Sequence, residues 1–168
     1  MKAVFVVLLT VAPLWNLSAQ NPVPAGPGKS PAVANAGEAK HSAAPEAYHA
    51  GAWEQAIGYS QAVRVGRTIY ISGTVGADEK GFAKDMEGQV KLAYTAIQKT
   101  LAHFGADLSN VVKERIFTTD IEALIKCQEL RKGIYGAWLP AATWVEIKRL
   151  YNPEAKLEIE VEAVLSKD

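Results

Sequence analysis

The segment KLEIEVEAVL (156–165) alternates apolar and acidic positions with a period of two. Side chains alternate across a strand, so Leu157, Ile159, Val161, Ala163 and Leu165 project to one face and Glu158, Glu160 and Glu162 to the other. ATWVEIKRL (142–150) reads as the preceding strand, joined through a turn at Asn152-Pro153, with Trp144, Glu146 and Lys148 expected on the carboxylate side. Upstream, AVRVGRTIYISGTVG (62–76) gives two β-branched runs about Gly66 and Arg67, a hairpin pattern. After a polar loop from Ala77 to Lys84, Asp85 is placed to cap a helix. Its apolar stripe is Val90, Ala93, Tyr94, Ile97, Leu101 and Phe104, and Gly105 is its stop signal. NVVKERIFTTD (110–120) reads as a strand, and IEALIKCQELRKGIYGAWL (121–139) as a second amphipathic helix ending before Pro140.

That order, with regular structure starting near Trp53, predicts an α+β domain over residues 51–168, with two helices packed on one face of a mixed sheet. The helices take the apolar face of the last strand. Trp144 among charges on the opposite face then marks a surface that meets another subunit.

The amino end reads differently. Lys2 precedes the 13-residue run AVFVVLLTVAPLW, and small residues follow in NLSAQ, the pattern of a signal peptide over residues 1–19 cut after Ala19. The run is shorter than the roughly 20 residues that span a bilayer, and no Cys follows the cut, so no stable membrane anchor is expected and the chain reads as exported, periplasmic or secreted. Residues 20–50 hold five of the eight prolines and no apolar side chain larger than Val before Tyr48, which reads as a disordered linker with His41 and His49 solvated in it.

Lys+Arg and Asp+Glu both number 18, and no basic stripe with stacking aromatics appears, so nothing invites nucleic acid. The single Cys127 excludes an internal disulfide, and with Leu124, Leu130 and Ile134 it reads as a buried thiol. Ser72 lacks the flanking glycines of a nucleophile elbow, GTVGADEKG fits neither phosphate-binding glycine pattern, and His103 has no ligand partner at metal spacing. Pattern alone assigns no metal, no cofactor and no reaction.

Four blocks read together carry more: AIGYSQAVRVGRTIYISGTVG (56–76), GADLSNVVKERIFTTDI (105–121), PAATWVEIKRL (140–150) and KLEIEVEAV (156–164). In order and spacing they resemble the Rid family, the reactive-intermediate deaminases also called YjgF proteins. The resemblance implies a fold like that of the Bacillus chorismate mutase, a homotrimer with clefts between subunits, and cofactor-free hydrolysis of imines and enamines to carbonyl compounds and ammonia. It also implies site residues: Tyr59 and the Ser72-Gly73 pair lining the cleft, and Glu158 orienting the attacking water. Glu160 takes that role if the last strand is slipped by two. Gln128 stands where relatives often have asparagine.

The departures from that family lie at the substrate anchor. Ala142 stands where the deaminases have the arginine that grips a substrate carboxylate, and Trp144 where they often have cysteine. Losing a charge-assisted hydrogen bond of about 1.5–3 kcal/mol weakens binding about ten- to a hundredfold. Lys148 and Arg149 lie on opposite faces of their strand and neither is a ready substitute. Trp144 either walls the cleft for a flat ligand or fills the subunit interface. The expectation is a small-molecule cleft without its anion anchor. It either hydrolyses imines other than the usual amino-acid derivatives or serves a noncatalytic, ligand-binding or chaperone-like trimer. Ribonuclease or translation-inhibitor activity is the weakest of the readings.

Overall fold

A computed structural model of the chain describes residues 44–166. The expected signal peptide, His41 and most of the expected linker lie outside the described residues. Ordered structure begins inside the segment read as linker, because β1 (Glu46–Tyr48) pairs antiparallel with β2 (Ala62–Val65). Between them lies a short helix, α1 (Ala52–Ile57).

The order continues with β3 (Thr68–Val75), a small hairpin of β4 (Ala77–Asp78) and β5 (Gly81–Phe82), and α2 (Met86–His103). Then come β6 (Val111–Thr118), α3 (Ile121–Lys126), α4 (Gln128–Tyr135), β7 (Ala141–Glu146) and β8 (Leu157–Val164). Six strands form one sheet in the order β1-β2-β3-β8-β6-β7, parallel only between β6 and β7 and therefore mixed. The architecture is the expected α+β one, with four α-helices among the described residues where the periodicity gave two.

The local signals act as their chemistry requires. Gly66 takes φ 59° in the β2–β3 turn, where a side chain would be strained. The Asp85 carboxylate accepts the Gly88 N–H at 2.7 Å, occupying one of the helix's orphan donors. Val90, Ala93, Tyr94, Ile97 and Leu101 of α2 are buried against Leu157, Ile159, Val161 and Ala163 of β8, so the helices cover the apolar face.

The segment 121–139 is not one helix. It breaks at Cys127, whose backbone leaves the helical region at φ −88°, ψ 7°, and its helical part ends at Tyr135 before Gly136. The break turns α4 so that Arg131 and Tyr135 are buried, while Leu124 of α3 and Cys127 stay in the core.

One buried side chain fixes where β8 starts. The Gln89 amide donates to the Ala83 and Glu154 carbonyls and accepts the Lys156 N–H, each at 2.8 Å. A Cβ on Gly76 would lie 2.3 Å from the Gln89 Cα, so only glycine allows this approach.

The expected placement of Trp144 is overturned. Trp144 pairs with Ile116, and Ile116 with Ile159, both buried among the helices, so Trp144 and Glu146 face the helix side and not the carboxylate side. The Glu146 carboxylate accepts the Ile121 N–H at 2.8 Å, and Lys148 falls beyond the strand. On the open face of β7 stand Thr143 and Val145 instead, Val145 being 42% exposed. β7 is an edge strand whose two faces are equally mixed in polarity, so hydrophobicity could not fix its phase.

Candidate functional site

The backbone of β3 is irregular where the site begins. Ile71 pairs with Val161 and Thr74 with Ile159, so two residues, Ser72 and Gly73, oppose Glu160 alone. Such a bulge re-aims side chains at a strand edge. The Ser72 hydroxyl donates to the Ser60 carbonyl at 2.7 Å and the Ser72 N–H to the Gln61 carbonyl at 2.9 Å. The Gln61 amide donates to the Thr74 hydroxyl at 3.1 Å. These bonds fasten the Tyr59–Gln61 segment to β3, and they use the Ser72 hydroxyl for positioning.

Gly73 makes room for Glu158. A Cβ on Gly73 would meet the Glu158 Oε1 at 1.7 Å, so the carboxylate lies flat against the glycine backbone. Burial, and secondarily the neighbouring charge of Glu160, raise the proton affinity of Glu158 above that of an ordinary glutamate. Among the described residues no cation pairs with it. A half-buried carboxylate with an unused lone pair can accept a proton from water and hold that water in place.

Tyr59 completes this half. Burial first, then the charges of Glu54 and Glu158, push its phenol up, so it stays a neutral hydrogen-bond donor at every physiological pH. The structure thus brings Tyr59, Ser72, Gly73 and Glu158 together. Glu160 shares their face, as expected of a residue two positions along β8, but it is engaged: Arg115 lies 3.5 Å from Glu160 and 3.0 Å from Glu162. A groove of about 240 Å³ runs past Tyr70, Ser72, Arg115 and Glu160 on this open face.

The other predicted residues are elsewhere. Ala142, exposed on β7, pairs with Glu114 of β6, whose side chain is buried on the helix side. Ala142 and Glu158 therefore point to opposite faces, with β6 between their strands, and two strand spacings plus a three-residue offset put their backbones about 14 Å apart. They cannot meet within one protomer. Gln128 is exposed at the start of α4 on the helix side.

Trp144 neither walls this cluster nor fills the open face. It packs partly buried against the core, with the Arg131 guanidinium 5.6 Å from its ring. Arg131 in turn donates to Glu114 at 2.8 Å, and the Tyr94 and Tyr135 hydroxyls donate to the other Glu114 oxygen at 2.5 and 2.8 Å. Burial, then the Glu114 charge, holds both phenols well above their ordinary range. This buried quartet went unread in the sequence, although Glu114 falls on the apolar phase of β6, two residues before Ile116.

His49 also differs from expectation. It is partly buried, with Nδ1 3.7 Å from the Glu54 carboxylate, rather than solvated in a tail. Glu54 is fully buried and accepts the Ala50 N–H at 3.0 Å, which ties α1 to the strand before it.

Comparison with known proteins adds a family. The family described as Endoribonuclease L-PSP matches residues 50–165. A 2-iminobutanoate/2-iminopropanoate deaminase of Mus musculus is 37% identical over 113 residues, 65% of this chain and 83% of that protein. A RutC family protein of Pyrococcus abyssi is 34% identical over 113 residues, 66% of this chain and 87% of that one. Among solved structures, a YjgF/YER057c/UK114 family member from Mycobacterium tuberculosis superposes with a TM-score of 0.66 at 32% identity, covering 73% of this chain and all of that one.

Proposed function

The chain belongs to the Endoribonuclease L-PSP family, the YjgF or Rid proteins, and from that premise we propose that it hydrolyses small imines or enamines in clefts between copies of itself. The observation that carries the proposal is the Glu158 carboxylate laid over Gly73 beside Tyr59. Glu158 takes a proton from water as its oxygen attacks the C=N carbon. Glu158 passes that proton to the imine nitrogen, giving the neutral tetrahedral carbinolamine; the carbinolamine's hydroxyl proton then moves to the nitrogen, the C–N bond breaks, and ammonia leaves with the carbonyl compound as product. Water is the only co-reactant. Tyr59, a neutral donor, stabilises the developing charge.

Because Ala142 faces away from Glu158 within a protomer, a complete site needs the β7 edge of a second copy, and a closed ring of three satisfies every copy alike. Ala142 supplies no guanidinium, so the substrates proposed are not the imino acids named for the mouse relative. Export through the 1–19 segment is part of the same proposal, placing the protein outside the cytosol.

Ammonia release from a panel of imines tests this. Turnover by the wild type that falls to background in Glu158→Ala supports it, and equal rates in the two defeat it. The loss of the anion anchor at Ala142 favours a second reading, a trimer that binds carbonyl compounds without turning them over. Saturable binding with no ammonia from any imine would select that reading. Ribonuclease activity is not proposed, since Glu158, Glu160 and Glu162 on the open face repel phosphate.

A further inference from the structure

Resting on the imine-hydrolase reading, we propose that Trp53 selects the substrate, and that the compounds accepted are imines bearing an aromatic or branched apolar group and no carboxylate. Trp53 is 57% exposed, and Ile57, one helical turn on and on the same side of α1, is 62% exposed. An indole left in solvent is ordinarily free to turn, but this one is held. A Cβ on Gly51 would lie 2.6 Å from the indole Nε1 and 2.7 Å from Cδ1, so the ring rests directly on the glycine. Gly51 has φ −158°, a conformation open to any residue, so glycine is required there for the indole and not for the backbone.

The helix itself is anchored by the next residue, Glu54, fully buried and bonded to the Ala50 N–H. The Trp53 ring then meets Tyr59 edge-on, centroids 5.8 Å apart at 64°. Tyr59 in turn feels the charge of Glu158. A fixed aromatic surface therefore adjoins Tyr59.

Charge decides against a carboxylate on the substrate. The guanidinium that the family resemblance implies at 142 is absent, Arg115 is paired with Glu160 and Glu162, and Arg131 is buried on Glu114. An anionic substrate would meet Glu158 and Glu160 with neither arginine free to answer them. A neutral imine with a flat or branched group gains contact with Trp53 instead.

The test compares imines generated in place by amine oxidases from benzylamine and ethylamine with 2-iminopropanoate generated from alanine. The wild type should prefer the benzylamine product. Trp53→Ala should raise KM for that imine about tenfold with kcat little changed, leave the ethylamine product within about twofold, and Trp53→Phe should restore most of the loss. Equal losses on both imines, or a wild-type preference for 2-iminopropanoate, would overturn the assignment. If no imine is turned over, the hydrolase reading falls alone, and ligand-detected NMR with benzaldehyde and acetaldehyde judges Trp53 separately. Benzaldehyde binding lost in Trp53→Ala with acetaldehyde unaffected supports the selecting role, and unchanged benzaldehyde binding refutes it.

Discussion

Replacing Gly73 by Ala separates chemistry from stability more cleanly than changing Glu158 itself. The new methyl would sit 1.7 Å from Oε1, 2.6 Å from Cδ and 2.9 Å from Cγ of Glu158, all inside any tolerable contact. Ordinary contact starts near 3.4 Å, so the carboxylate oxygen must retreat by about 1.7 Å, the difference between the two distances. The clashing group is the end of a flexible side chain on the open face, and Gly73 is not in the left-handed region, so the backbone accepts alanine. A change in stability within about 1 kcal/mol follows, because lost glycine freedom in the unfolded chain offsets part of the strain. A misplacement of about 1 Å in a catalytic group costs about a hundredfold in rate, so kcat/KM on the preferred imine should fall by at least about that factor. Urea unfolding and coupled ammonia release, run on the same preparation, give both numbers. Unchanged turnover in a folded Gly73→Ala protein would mean that Glu158 does not hold the attacking water.

The remaining predictions concern protonation and the core. As a base Glu158 must be ionised, so the acid limb of kcat/KM should have its midpoint above the ordinary glutamate value of 4.5, and Glu160→Gln, which removes the neighbouring charge, should move it to lower pH. A carboxyl with raised folded-state proton affinity favours folding most below its unfolded pKa and loses that contribution as pH rises through the folded value. Glu158→Gln should therefore raise Tm at neutral pH while abolishing turnover, and a lower Tm would contradict the assigned burial cost. Gly76→Ala meets the Gln89 backbone, with Cα at 2.3 Å and O at 2.5 Å, and should destabilise by about 2–3 kcal/mol in urea titration. Arg131→Met strands the buried Glu114 charge and should cost about 3–5 kcal/mol, most of it recovered by adding Glu114→Gln; a double variant no better than the single would argue against the pair.

Much of the fold was legible because its signals are local. The Asp85 cap, the α2 stripe, the Gly66 turn and the alternation of β8 each rest on neighbours in sequence, and each appears where the pattern put it. What was missed depends on partners far along the chain. The phase of β7 is set by its register with β6, which placed Trp144 opposite Ile116 and against Arg131. The break at Cys127 answers the burial of Arg131 and Tyr135 on Glu114, a charge whose place on the apolar phase of β6 was the one available hint. The grouping of Tyr59, Ser72, Gly73 and Glu158 was legible through family resemblance, whereas the bulge that seats Glu158 on Gly73 follows from one extra residue in β3 relative to β8 that no periodicity reveals.

Glu158 and Ala142 point to opposite faces of one sheet, so the account stands on how copies associate. Sedimentation equilibrium of the protein at micromolar concentration measures this directly. The account predicts a single species of three times the protomer mass, and a stable monomer that still releases ammonia from imines would contradict it.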